Sequence, residues 1–449
     1  MNKNKSIVVI GGGIAGLVAT QILIEKGLKV ILIEKKITLG GRAFSFKNSE
    51  SNENIDNGQH IFTKNCSEYI KFLKNLEVFN QVILEKSINV PIYKNNKKEY
   101  LKFSGKPNAI SLFLRLLRFN HISYIGKLRI IYALIIIKFK KNLKDLDSTD
   151  FKTWLKKHHQ TYETNKYFWE LFLKPALNDE LEYMSSYIAI LTIKNSILKP
   201  QKTAFGLPKT DLSSLVEKNF NNILRKTNSI LIKGKTVKKI SEDNNNNITK
   251  IELSDNTEIK VDSIICTIPF FEIKNLFQKS SKITPIINNV SQLEYSPIVC
   301  IHFWFSEKIT DELYFSVLDS PIQWVFNVSK IREHKDQNKQ HLVISLSSAW
   351  KWIKYDRKEM ISIFSKEIYK LLQLNSRVKI KQTLIVNQPK ATFRTLPGSY
   401  KLRPKNSTPL KNLFLAGDWT DTEWPSTMES AAKGGRKSAE DLLRYLKSI

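Results

Sequence analysis

Acidic side chains are what this chain lacks most: 42 Asp and Glu stand against 71 Lys and Arg, a formal net charge of +29 over 449 residues. Between Tyr100 and Lys144 there is no acid at all, yet Lys102, Lys106, Arg115, Arg118, Lys127, Arg129, Lys138, Lys140, Lys141 and Lys144 all fall there. Such a surplus invites a nucleic-acid partner, but no recognised nucleic-acid-binding motif accompanies it and lysine is abundant along the whole chain, so none is expected. Cysteine is scarcer still. Cys66, Cys266 and Cys300 are odd in number, far apart and without C-x-x-C spacing, which argues against a disulfide framework and fits a reducing cytosol. The seven histidines form no H-E-x-x-H or other metal-ligating spacing; His158-His159 reads as a solvated helix face, and no metal is expected. Also missing is any uncharged apolar run near the ~18 residues needed to span a bilayer. Lys3 and Lys5 precede an apolar run, but three consecutive glycines and the lack of a small-x-small cleavage site argue against a secretory signal.

The acid-free stretch is nevertheless strongly apolar, with SLFLRLLRF at 111–119 and IIYALIII at 130–137. Cations interleaved with Leu, Ile and Phe predict amphipathic helices lying on an anionic membrane surface, which places the protein peripherally on the cytoplasmic face. The competing reading is a buried helical pair whose charges simply reach solvent.

The most specific stretch is at the start. Ile7 to Ile10 is short, β-branched and apolar, as expected of a strand buried on both faces of a parallel sheet. Gly11, Gly13 and Gly16 follow as G-x-G-x-x-G, within the run Gly11-Gly12-Gly13-Ile14-Ala15-Gly16: a tight turn, close backbone approach to a diphosphate, and tight packing of helix on strand. The diphosphate would sit on the helix N-terminus, where free N–H groups and the macrodipole favour an anion. Gly27 ends the helix and Lys29 to Ile33 form the next strand. Glu34 then stands where a carboxylate accepts both ribose hydroxyls and disfavours a 2'-phosphate. Gly40-Gly41-Arg42 tips the choice from NAD to FAD, because an arginine just past the second strand can fold its planar fork of donors back onto the diphosphate.

Length and a 42% hydrophobic content allow a large core and two domains. Ser229 to Ile240 and Ile248 to Leu253 alternate as a hairpin around the turn Asn244 to Asn247, and Ser263 to Ile268 is a second buried strand that stops at Pro269. Near the end, Asn412 to Ala416 reads as a strand entering the turn Gly417-Asp418, and Pro425-Ser426-Thr427 opens a helix. The N-terminus of that helix, Thr427, Met428 and Glu429, is placed to stabilise negative charge at flavin N1 and C2=O. The expected fold is therefore α/β, with a discontinuous Rossmann-like FAD-binding domain over 1–74, 216–274 and 406–449. A helix-rich excursion from 75 to 215 and a strand-rich one from 275 to 405 form an inserted α+β substrate and membrane-facing domain. The aromatic strands at 298–305, 322–328 and 342–350 are expected mainly as core, with tunnel wall as the alternative.

These pieces together resemble the superfamily of flavin-dependent amine oxidases and carotenoid desaturases: GGGIAG, GGR after the second strand, and an AGD turn followed by a P-x-T-x-E-x-A helix. IDNGQHIF at 55–62, FLKPALN at 172–178, ATF at 391–393 and FLAGDWTDTEWPSTMESA at 414–431 are similar, more narrowly, to the hydroxysqualene dehydroxylases, also called squalene-associated FAD-dependent desaturases. The resemblance spans nearly the whole chain. It implies the amine oxidase and phytoene desaturase type of fold, with FAD held by Gly11 to Gly16, Glu34, Lys35, Gly41, Arg42, Val237, Gly417 and Asp418. Gly58, Gln59 and His60 would lie around the isoalloxazine together with Trp424 to Glu429. The segment Ile61 to Cys66 departs from the pattern by lacking a glycine and an aromatic soon after GQH, and Ser426 and the AAKGG tail are also unusual. The implied reaction is reductive removal of an allylic hydroxyl from hydroxysqualene, giving squalene for hopanoid-type isoprenoid synthesis, with His60 as candidate acid and an external electron donor that no motif identifies. The rival is a carotenoid desaturase running oxidatively. An amine oxidase fits less well, because a basic, membrane-facing insertion suits a polyisoprenoid better than a soluble cation.

Overall fold

The computed structural model describes residues 5–50, 52–103, 115–199, 204–277, 280–333 and 339–449. Ile7–Ile10 is buried along its whole length because it is the middle strand of a five-stranded parallel sheet. The order is Ile230–Lys233, Val30–Glu34, Ile7–Ile10, Ser263–Cys266, Leu413–Leu415. Three widely separated parts of the chain thus share one sheet. In register, Ile10 lies level with Ile33 and Cys266, so the strands deliver Gly11, Glu34 and Thr267 to the same carboxyl edge, where open α/β sheets bind ligands. Val9, Leu32, Ile265 and Phe414 pack beneath the first helix, Ile14–Glu25, and the terminal helix, Met428–Ser448. Val8, Ile10, Ile33, Ile264, Cys266 and Leu415 face a three-stranded antiparallel layer and the helix Phe270–Phe277.

Two expectations about elements change. Ser229 to Ile240 is not one strand: it breaks at Gly234 (φ +72°), so that Ile230–Lys233 closes the edge of the parallel sheet while Val237–Glu242 begins the hairpin. The alternating pattern runs straight through the break and conceals it. The excursion 75–215 also contains strands. Ile88–Lys94 and Lys97–Phe103 form a hairpin whose two loop residues, Asn95 and Asn96, both adopt left-handed φ, the geometry that matches strand twist. Ile88–Lys94 pairs in parallel with Tyr314–Val317, so both excursions build a common seven-stranded sheet.

In this sheet the aromatic strands divide their labour by residue parity. Val299, Ile301, Phe303 and Phe305 point into a core closed by the helix Arg357–Leu371, whereas Ile298 and Cys300 on the same strand line a large cavity on the other face. The cavity's far side is a helical layer comprising Tyr124–Phe139, Phe151–Lys157, Glu170–Leu177 and Ser186–Asn195, cemented by Trp154, Phe168, Trp169 and Tyr187. His158 stands at the C-cap of the second of these helices, half-buried against Trp154, while His159 just beyond it is exposed beside Tyr132, so the pair is a helix terminus with one solvated ring. Residues 106 and 111–114 of the basic, apolar stretch lie outside the described part. Because Phe303 is fully enclosed, Phe303→Ala should cost about 3–5 kcal/mol in urea unfolding, while Ile298→Ala, opening onto existing space, should cost clearly less. Equal losses would mean that the two faces of the strand are misassigned.

Candidate active site

A cavity of about 1010 Å³ runs from the carboxyl edge of the parallel sheet to the underside of the seven-stranded sheet. Its first part is a groove lined by Gly11, Gly13, Ile14, Ala15, Glu34, Lys35, Gly41, Arg42, Val237, Gly417 and Asp418. Its second part is an apolar branch between Leu171, Phe172, Leu191 and Ile197 on the helical side and Trp324 and Phe326 on the sheet.

The groove fits a dinucleotide by construction. At Gly16 a Cβ would come within 1.9 Å of Gly11 O, so only glycine lets the first helix start this close to the strand. Gly41 (φ +67°) approaches Gly13 so closely that a Cβ would sit 2.9 Å from its Cα, which brings the G-G-R turn against the phosphate loop. The first helix has neither a side-chain cap nor an acid in its first turn, leaving its N-terminal N–H groups for an anion. Thr267, which no motif marked, fixes the loop from below by donating to Ile10 O (3.0 Å) and Gly11 O (2.9 Å). Gly12 and Gly16 do not face the cavity; Gly12 N instead donates to Glu34 Oε2 (2.6 Å), and Lys36 N to Oε1 (2.9 Å), so the Glu34 carboxylate is held at the lip. Lys35 lines the groove, but its ammonium pairs with Glu272. Arg42 spans the groove to Asp418 and donates to Ala391 O (3.2 Å); Asp418 also accepts from the Ser426 hydroxyl.

Asp56 and Asn57 place the Gly58-Gln59-His60 loop. Asp56 accepts from Ser45 Oγ (2.7 Å), Leu212 N (3.0 Å) and Arg332 (2.7 Å), and Asn57 bonds Phe44 N (3.2 Å) and Arg42 O (2.8 Å). The loop lies across Cys300, whose thiol burial pushes up to about 11, so it is a neutral piece of wall and no nucleophile. His60 Nδ1 sits 2.8 Å from Gly58 O; a carbonyl only accepts, so Nδ1 carries the proton and Nε2 is an acceptor. Burial lowers the His60 pKa below its ordinary 6.5, against smaller opposing effects of Gly58 O and Asp56. The expected acid is therefore neutral at physiological pH and presents a lone pair, not a proton.

Thr427 caps the terminal helix by accepting from Ser430 N (3.2 Å), and Thr427 and Met428 face the cavity. Glu429 also borders it, but its carboxylate is turned to the start of the helix Ser67–Asn75, accepting from Glu68 N and Tyr69 N (both 3.0 Å). The last residue of the FLKPALN segment completes the site. Asn178, left-handed at φ +55°, bonds Ser296 O (3.2 Å), Thr392 Oγ1 (2.9 Å) and Ser348 N (2.7 Å), joining that helix to two strands of the cavity floor and to the residue that follows a third.

An α/β fold whose phosphate loop, ribose acid and second-strand arginine share one groove with a buried apolar branch is that of an FAD-dependent oxidoreductase. A family model described as flavin containing amine oxidoreductase matches residues 14–443, and the chain belongs to that family. It is similar to a 15-cis-phytoene desaturase of Synechococcus elongatus, 22% identical over 97% of this chain and 95% of that protein. It is also similar to a chloroplast 15-cis-phytoene desaturase of an Oncidium hybrid, 24% identical over 98% and 78%. Among solved structures, an oxidoreductase from Methanosarcina mazei superposes with a TM-score of 0.74 (17% identity, 97% and 100% coverage). Cyclohexylamine oxidase from Brevibacterium oxydans does so at 0.71 (14%, 99% and 99%).

Two outcomes follow. Arg42→Ala should weaken FAD binding by about tenfold or more, since it removes charge-assisted hydrogen bonds of about 1.5–3 kcal/mol, as read by fluorescence titration of the apoprotein. Any step that needs neutral His60 should persist through neutral pH and fail only as pH falls through a value below 6.5. An acid limb of kcat/KM at or above 6.5, or one that survives His60→Asn, would contradict the assigned protonation.

Proposed function

We propose that this protein reductively removes the allylic hydroxyl of hydroxysqualene to give squalene at the surface of an anionic membrane. The observation that carries the reading is the apolar branch: no Asp or Glu lines it among the described residues from Leu171 to Ile197 and from Trp324 to Phe326, so it suits a long hydrocarbon and offers no counter-charge to an ammonium group. In its fully reduced form FAD supplies a hydride and a proton, which balance loss of the hydroxyl as water. The chain contributes the rest. Leu171, Phe172, Trp324 and Phe326 exclude water from the carbon that loses the hydroxyl, the free N–H groups at Thr427 to Glu429 favour negative charge, and His60 Nε2 accepts a hydrogen bond from the substrate hydroxyl and so orients it.

A second reading, oxidative desaturation of a carotenoid precursor, is favoured by two specific observations: the curated relatives are named phytoene desaturases, and a neutral imidazole that presents an acceptor suits proton removal. Product analysis separates the two. Pre-reduced enzyme given hydroxysqualene without oxygen should form squalene as the flavin reoxidises. If hydroxysqualene leaves reduced enzyme unchanged while oxidised enzyme desaturates phytoene, the second reading stands.

Membrane docking rests on the helix Tyr124–Phe139. Ile125, Leu128, Tyr132, Ile135 and Phe139 recur at three- and four-residue spacing and are 44–71% exposed, while Ile130, Ala133, Leu134 and Ile137 are buried on the opposite side. Lys138, Lys140, Lys141 and Lys144 are exposed beside its C-terminal end. Lys127 is not part of this surface, because it is buried with Nζ on Leu117 O (2.9 Å). Among the described residues no helix is long and apolar enough to cross a membrane. Replacing Leu128 and Ile135 together by Ser should reduce co-sedimentation with anionic liposomes, and added salt should reduce it for the parent protein. Binding unaffected by either change would remove the helix from the docking surface.

A further inference from the structure

Behind the Gly417-Asp418 turn lies a buried cation that the groove does not display. Arg403 is only 6% exposed, and a single terminal nitrogen, NH2, donates to Asp418 O (2.9 Å), Thr420 O (2.6 Å) and Thr422 Oγ1 (2.9 Å). Its Nε and NH1 are buried with no hydrogen-bond partner among the described residues, and the guanidinium lies 5.0 Å from the centre of the Phe393 ring. Of the carboxylates near it, Asp418 is taken by Arg42 and the Ser426 hydroxyl, Asp421 accepts from Tyr400 Oη (2.7 Å), and the buried Asp147 accepts from Ser185 Oγ (2.7 Å); none of the three forms an ion pair with Arg403, though all three lie within its field. A guanidinium stays charged in proteins, and an unpaired buried charge is destabilising by several kcal/mol, so holding three acceptors of one turn is a poor reason to keep one there.

We propose that Arg403 is a positioning and potential-setting residue: it holds the Gly417–Thr422 turn from behind and leaves a positive charge without a direct ion pair one peptide layer from the cavity wall, favouring the reduced, negatively charged form of bound FAD. Field lines from such a charge are weakly screened inside the protein, and they add to the free N–H groups of the terminal helix on the cavity side. The inference concerns the cofactor alone and holds for either substrate.

The test is the midpoint potential of FAD bound to the purified full-length protein, together with its affinity for sulfite, which adds to oxidised flavin and leaves negative charge on the ring. Arg403→Met should lower the potential by about 30 mV, a tenfold change for two electrons, and weaken sulfite binding by about the same factor. Arg403→Lys, which keeps the charge, should retain most of both. Asp421→Asn removes one of the negative charges near Arg403, leaving Asp418 and Asp147 in place, and should shift the potential in the opposite direction, upward. If Arg403→Met does not fold, Asp421→Asn decides. An unchanged potential in either flavin-bound variant overturns the proposal, as does an Arg403→Lys protein that behaves like Arg403→Met.

Discussion

The ion pair between Arg42 and Asp418 joins positions 376 residues apart across the groove, and the geometry of the cavity follows from it. Arg42 reaches Asp418 only because Gly40 and Gly41 turn the chain back against the phosphate loop. Asp418 is there only because Leu413–Leu415 has taken its place as the outermost parallel strand. Asn412 locks that strand on both sides, exchanging hydrogen bonds with Ile248 N and O (2.8 Å each) and donating to Asp262 O (2.9 Å). With Asp418 only 4% exposed at its side chain and Arg42 at 35%, the pair is screened on one side, and its value lies in fixing geometry more than in stability.

The dinucleotide groove was legible because its requirements are local. A β-branched run, a glycine spacing and a closing carboxylate each have a steric or electrostatic reason that a short window contains, and the described strands and first helix fall within those windows. What escaped is what depends on distant partners. Gly234 divides one alternating run between two sheets, and no pattern of apolar residues can announce that change of partner. The Asn95-Asn96 turn is a hairpin signal, but it stands inside a region whose other stretches are helix-like. His60 was found by its motif, but its tautomer and depressed pKa come from Gly58 O and burial. Lys127 counts as a surface cation in any tally of charge, and the fold turns it inward.

The seven-stranded sheet shows how one sequence serves two solvents. On Tyr295–Phe305 odd-numbered positions from Val299 make a dense core, and even-numbered ones reach the cavity at Ile298 and Cys300 or the His302–Trp304 stack further along. The seemingly uniform aromatic run is thus a two-sided surface. Its small members, Cys300, Ser345 and Ser347, lie where the Gly58 loop and the cavity need room.

A sheet assembled from residues 7–34, 230–266 and 413–415 also dictates an order of events during synthesis. The phosphate loop is made before its sheet neighbour Ser263–Cys266, some 250 residues further on, and some 400 residues before the outer strand that leads into Asp418. Such long-range pairing is slow and leaves unpaired edges exposed in the meantime. Synthesis of those intervening residues therefore proceeds without a cofactor-ready groove, with the apolar helix Tyr124–Phe139 already made. The strand Leu413–Leu415 and the helix Met428–Ser448 close the groove, and a chain without them has no closed FAD site.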